Sequence, residues 1–241
     1  MTTSPCISHF IVTALQQRCS VVTNTENGET VIIDGGGDSQ RIIQWIDSGI
    51  GEPDSQIGEY NGERKVVALI NTHAHFDHSG HIPYLKEHYQ LEWWLHEADF
   101  FLQTLAQKSA KRWGFEIPEP AIAENTWDHG DTHVFANMSF EIIHTPGHTL
   151  GGCCLRLLVG DGPDHLFAGD TLFQGAIGRT DLPNSGGDMD LLLRMIRERL
   201  WPLSDDTICL LYTYPSPRDQ RGSGMPCFAL KKKGGGGGGG G

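Results

Sequence analysis

Asn71-Thr72-His73-Ala74-His75-Phe76-Asp77-His78-Ser79-Gly80 places three histidines and one aspartate within six positions. The run before it, Val66 to Ile70, is apolar and rich in β-branched residues, which predicts a buried strand. Ser79 and Gly80 follow, and Pro83 then falls in the first turn of an expected helix, where a missing N–H costs nothing. The cluster is therefore expected on a loop between a strand end and a helix start, where α/β folds tend to carry ligand-binding residues.

The spacing has a physical reading. In extended backbone, residues two apart project to the same side, so His73 and His75 can reach one cation together. A turn toward the helix after Phe76 would aim Asp77 and His78 elsewhere, toward a second cation. Imidazole and carboxylate donors suit zinc, and also iron or manganese. A lone histidine here would read as an ordinary polar loop residue. The pattern His-x-His-x-Asp-His directly after a strand is what points to metal.

Two further stretches agree with the first. Thr145-Pro146-Gly147-His148-Thr149 and Phe167-Ala168-Gly169-Asp170-Thr171-Leu172-Phe173 each place one metal-type donor in a glycine-containing turn. Together with Ile177-Gly178-Arg179-Thr180-Asp181-Leu182-Pro183, they resemble the metallo-β-lactamase-fold hydrolases, and among these the small glyoxalase II-like (hydroxyacylglutathione hydrolase-like) branch. The resemblance runs from residue 8 to residue 208.

The resemblance implies a four-layer αβ/βα sandwich with two divalent metal ions, zinc first and iron or manganese as alternatives. His73, His75 and His148 would hold one ion, Asp77 and His78 the second, and Asp170 would bridge them. Asp34 would brace the metal loop, although a plain turn aspartate is an equal reading. The implied reaction is attack of a metal-bound hydroxide on a thioester of the hydroxyacylglutathione type. Asp77 would also orient the hydroxide as a catalytic residue. Arg179 lies where related enzymes place a cation for the glutathione moiety, and a salt bridge to Asp181 is the competing reading. The expected partner is a small-molecule thioester. On the same scaffold, an iron-dependent glutathione-persulfide dioxygenase-like enzyme could use His73, His148 and Asp170, and a lactone hydrolase is a further alternative.

Composition sets bounds. The 241 residues suffice for one large domain, and 38 % hydrophobic with 20 % charged residues describes a globular chain. Eighteen basic against thirty acidic residues give a net charge of −12, which repels nucleic acid and anionic membrane. No apolar run approaches membrane-spanning length, and Met1 to Ser8 carries no basic residue, so a cytoplasmic location is the expectation. The six cysteines show no zinc-type or redox spacing, and Cys153-Cys154 are expected to face opposite sides of one strand.

The last stretch does not match the rest. Residues 209–219 resemble the translation of a sequencing-library transposase adapter, and Lys231-Lys232-Lys233 followed by eight glycines resembles homopolymer read-through. The expected organisation is a domain over residues 1–208, lacking its C-terminal strand and helix, and an artefactual disordered tail over 209–241. Without that tail the charge would be −16, from 13 basic and 29 acidic residues. The family also carries a last ligand histidine just after a strand, and no histidine follows His165. An inactive fragment holding one metal is therefore the third reading. Resequencing the locus past codon 208 tests the tail; recovering it from independent genomic DNA would remove this expectation.

Along the remaining chain, strands are expected at 9–15, 18–23, 29–33, 91–95, 132–135, 139–144, 154–159 and 165–168. Helices are expected at 38–47, 82–89, 98–111 and 189–200. Strands followed by helices, twice over, suggest an α/β class.

Overall fold

The structure is a computed structural model and describes residues 5–210. Its elements are β1 (Cys6–Val12), β2 (Gln17–Thr23), β3 (Glu29–Ile33), α1 (Ser39–Ser48), β4 (Ser55–Ile57), β5 (Lys65–Ile70), α2 (Phe76–Ser79), α3 (Ile82–Tyr89) and β6 (Trp93–Trp94). There follow α4 (Phe100–Arg112), β7 (Thr132–Phe135), β8 (Met138–His144), β9 (Cys153–Leu158), β10 (His165–Phe167), β11 (Leu172–Phe173), β12 (Ala176–Ile177), α5 (Met189–Met195) and β13 (Ile208–Cys209). The two large sheets have the orders β4-β1-β2-β3-β5-β6 and β13-β10-β9-β8-β7, and β11 pairs with β12 in a separate two-stranded ribbon.

Strand alternation generates the layers. On β3, Val31 and Ile33 point into the space between the sheets while Ile32 points outward; on β5, Ala68 and Ile70 do the same against Leu69. The opposing sheet contributes Phe140, Ile142, Leu155 and Phe167 to the shared interior. The outer face of the first sheet is covered by Ile42 and Trp45 of α1, Ile82 and Leu85 of α3 and Leu102 of α4. The outer face of the second is covered by Leu192 of α5 and, in the π-helical turn that continues it, by Ile196 and Leu200. The result is helix, sheet, sheet, helix, the αβ/βα sandwich expected. Each fully buried large side chain, such as Phe10, Phe140 or Trp93, contributes about 1.5–3 kcal/mol through burial. Cys153 faces the inter-sheet core and Cys154 the outer layer, as strand alternation requires.

Several expectations need correction. The stretch 49–64, polar and carrying Gly, Pro and Asn, reads as loop in the sequence, yet Ser55–Ile57 forms the edge strand β4 against β1; all three residues are exposed, so no alternation marks them. The stretch 114–131 carries prolines and reads in the sequence as a substrate-side loop, yet Trp127 is buried in the inter-sheet core and Asn125 bridges to Trp94. The C-terminal strand expected to be missing is begun: Ile208 and Cys209 pair in parallel with β10, and Leu210 packs into the core. The reason is general, since a free strand edge accepts any backbone and a Cys-Leu pair suits a half-buried position. Apart from Cys209 and Leu210, the tail 209–241 and the C-terminal helix lie outside the described residues.

The topology brings the ends that matter together. β3 and β5 run parallel, so Asp34 and Asn71 leave the sheet side by side, and Asp34 N–H donates to the Ile70 carbonyl at 3.1 Å. In the second sheet, the loop from β8 to β9 and the chain after β10 emerge at one end. A backbone bond from Cys153 N to Thr72 O, 2.8 Å, joins the two sheets there.

Candidate metal centre

The four groups that converge are His73 and His75 from the loop after β5, His148 from the β8–β9 loop and Asp170 from the turn after β10. All four are buried, and one donor atom from each lies within 4.8 Å of the others. His75 Nδ1 lies 3.1 Å from His73 Nε2 and 2.9 Å from His148 Nε2, and His148 Nε2 lies 3.3 Å from Asp170 Oδ2.

The outward nitrogens of the same rings have other partners. His148 Nδ1 faces the Arg179 carbonyl at 2.7 Å, His75 Nε2 faces Ser185 Oγ at 2.8 Å, and His73 Nδ1 faces Thr72 Oγ1 at 3.1 Å. With the ring protons assigned to those outer contacts, three imidazole lone pairs point at one another across about 3 Å. Bare lone pairs in that arrangement repel, and a cation at their meeting point relieves the repulsion. The donor set of three nitrogens and one carboxylate oxygen fits a zinc- or iron-type ion.

Asp77 and His78 stand beside this group. The chain turns into α2 after His75, so Asp77 and His78 lie on a helical turn and not in line with His73 and His75. His78 Nε2 lies 3.1 Å from Asp170 Oδ1 and 3.9 Å from Asp77 Oδ2. Asp170 thus offers one oxygen to His148 and the other to His78, the placement a bridging carboxylate needs. Among the described residues, no second group of three or more donors converges as the first does. The last family histidine, expected after the strand at β13, has no counterpart in the sequence.

The surroundings hold these side chains in place. Asp34 sits in a turn beside the metal loop, with φ of 57°. Its carboxylate accepts from Thr72 N at 2.7 Å and Thr72 Oγ1 at 2.8 Å, and lies 3.1 Å from His78 Nδ1. A carboxylate on the far nitrogen of a ligand histidine orients the ring and raises its basicity. Burial works against a charged His78, but Asp170 and Asp34 outweigh it and hold this imidazole well above its ordinary pKa. Burial likewise opposes ionisation of Asp170, and His78 and His148 overcome it, holding the carboxyl well below its ordinary range.

Arg179 is largely buried, and its guanidinium forks onto Asp181, Nε to Oδ1 at 2.6 Å and Nη2 to Oδ2 at 2.7 Å. The geometry is the salt bridge considered above, and the residue meets the metal group through its carbonyl. Sequence reasoning missed Asp99. This buried carboxylate accepts from Ala74 N (3.1 Å), Thr149 Oγ1 (2.9 Å) and Gly151 N (2.6 Å), so it ties the two histidine loops together. Burial raises its pKa to about 6, against the pull of those hydrogen bonds. Ser185 and Asn71 were also missed. The Asn71 amide donates to His78 O at 2.8 Å, and its carbonyl accepts from Trp93 Nε1 at 3.0 Å.

A buried three-histidine, one-aspartate group at the seam of an αβ/βα sandwich defines a metallohydrolase architecture. The chain belongs to the metallo-beta-lactamase superfamily, which it matches over residues 12–210. Among relatives, it is 36 % identical over 201 residues to the hydroxyacylglutathione hydrolase GloC of Haemophilus influenzae, covering 83 % of this chain and 86 % of that one. It is 30 % identical over 184 residues to the probable metallo-hydrolase YqgX of Bacillus subtilis, covering 76 % and 78 %. Among solved structures, it is similar to the BLEG-1 B3 metallo-beta-lactamase, with TM-score 0.70 at 28 % identity over 84 % of this chain and 89 % of that one. TTHA1623 in a di-iron-bound form superposes with TM-score 0.68 at 28 % identity over 86 % and 92 %. No helix among the described residues is long and apolar enough to cross a membrane.

Proposed function

We propose that this protein hydrolyses a thioester of the hydroxyacylglutathione type. The observation that carries the reading is the convergence of His73, His75, His148 and Asp170, in a chain 36 % identical to a hydroxyacylglutathione hydrolase. Divalent cations at such a site supply Lewis acidity toward an acyl carbonyl and toward water, with zinc the first candidate.

The protein's own contribution is placement. His73, His75 and His148 would hold one ion, and Asp77 and His78 a second, with Asp170 between them. The Arg179 carbonyl, Ser185 Oγ and Thr72 Oγ1 take the outward ring nitrogens and leave the inward lone pairs for the ion. Asp77, buried beside His78, would be the acceptor that orients an attacking water. The near-complete burial of the donors keeps bulk water out, which strengthens every electrostatic interaction at the site.

The test is S-lactoylglutathione hydrolysis by protein reconstituted with Zn, Fe or Mn, alongside elemental analysis of the same samples. Turnover proportional to bound metal is expected. A folded protein that binds metal and leaves the thioester intact with every metal would overturn the reading. Only one complete donor group is found among the described residues, and this favours a single-iron oxygenase as the second reading. Oxygen uptake with glutathione persulfide, on the iron-loaded sample, separates the two.

A further inference from the structure

A narrow cleft of about 110 Å³ opens beside His75. Ala74, His75 and Phe76 form one side, Leu182 to Ser185 another, and one face of α4 closes it. Ser185 lines the cleft and contacts His75 Nε2, so the cleft borders the outer edge of the metal group. From α4, the wall includes Lys108 and Arg112, both exposed.

We propose that Lys108 and Arg112 are the specificity-determining cations of this site, binding the carboxylates of an acidic thiol carrier such as glutathione. This rests on the thioesterase reading above and deepens it.

Four observations carry it. Lys108 and Arg112 are four apart on one helix, so two like charges share a face, an arrangement that destabilises the isolated helix. Neither has an ion-pair partner among the described residues, whereas Arg41, Lys86, Arg156 and Arg179 are each paired with a carboxylate. Attraction to the helix C-terminus accounts for cations in the last turn, but it acts equally on Lys111, which does not line the cleft. Finally, the chain carries −12 overall, so an anionic substrate needs a local positive field, and Arg179 is neutralised by Asp181. The cleft is too small for a whole tripeptide. The acidic arms of the carrier would lie along α4, with the acyl group directed past His75 toward the metal group.

The experiment uses the full metal-loaded chain and S-hexylglutathione, a thioether that cannot be hydrolysed, with neutral N-acetyl-S-hexylcysteamine as its control. Calorimetry is run on wild type, K108A/R112A and K111A. The double variant is expected to bind S-hexylglutathione at least ~10-fold more weakly, since charge-assisted contacts are lost, with the wild-type salt dependence reduced. K111A should match wild type, and no variant should change affinity for the neutral thioether. For S-lactoylglutathione, the loss should fall on KM and leave kcat nearly unchanged. Wild type that does not bind S-hexylglutathione, equal binding by the double variant, or an equal loss in K111A would overturn the proposal. Failure of the thioesterase reading looks different: normal charge-dependent binding of the thioether, with no cleavage of S-lactoylglutathione or of a neutral lactoyl thioester.

Discussion

Asp34 and His78, 44 positions apart in sequence, meet at 3.1 Å, Oδ2 to Nδ1, behind the metal group. The contact fixes which nitrogen of His78 faces Asp170. D34N keeps the shape but removes the charge that raises the basicity of the ring. Metal affinity at the His78 side should fall by ~10–100-fold, as for other carboxylate–histidine pairs. Competition with a chromophoric chelator measures it. Unchanged stoichiometry and affinity in D34N would show that the contact is structural only.

Cation binding should stabilise the fold, because the convergent lone pairs exist only in the folded state. At a free metal concentration 100 times Kd, linkage gives about 2.7 kcal/mol. Thermal melts of chelator-treated protein should therefore rise steadily with added Zn. H148A removes one donor and should flatten that rise. A melt insensitive to metal in wild type would mean that the cluster does not take up the ion.

Gly36 and Gly178 are where backbone crosses backbone next to the ligands. A Cβ on Gly36 would lie 1.6 Å from the Asp77 carbonyl oxygen, and one on Gly178 would lie 1.8 Å from that of Asp170. Backbone cannot step aside as a side chain can, so G36A and G178A should each cost ~1–3 kcal/mol or more. Metal content should fall with stability. Denaturant midpoints equal to wild type would contradict the close approach.

Acid sensitivity should have a component outside the metal group. His9 is buried with Nδ1 3.0 Å from Ser20 Oγ, and burial lowers its pKa from 6.5 to about 3. The unfolded chain therefore takes up a proton at a pH where the folded one does not. This contribution is present in full above pH 6.5 and is lost as pH falls toward 3. At pH 5 the loss amounts to about 2 kcal/mol. In chelator-treated protein, H9N should narrow the difference in unfolding free energy between pH 7.5 and pH 5; parallel pH dependence in both proteins would refute the assignment.

The elements that position the site were legible because their signals are local. Val66 to Ile70 reads as a strand by composition, and His73 and His75 declare themselves by a two-residue spacing. His148 and Asp170 required the motif resemblance, since nothing within the chain announces that loops 73 residues apart meet. Asp99 lay beyond either route: its role is set by hydrogen bonds to residues 25, 50 and 52 positions away. β4 escaped notice because an exposed three-residue edge strand has no buried face to imprint a pattern. Cys209 and Leu210 joined the second sheet through backbone pairing, for which side-chain identity is a weak guide.

The donors arrive in the order His73, His75, His148, Asp170, from loops on both sheets. A chain emerging from the ribosome therefore cannot present all four until its second sheet has been synthesised and docked on the first. Metal capture is then a checkpoint for completed assembly rather than a nucleus for it, and a nascent chain stalled before residue 170 should retain the ion far less tightly than the finished fold.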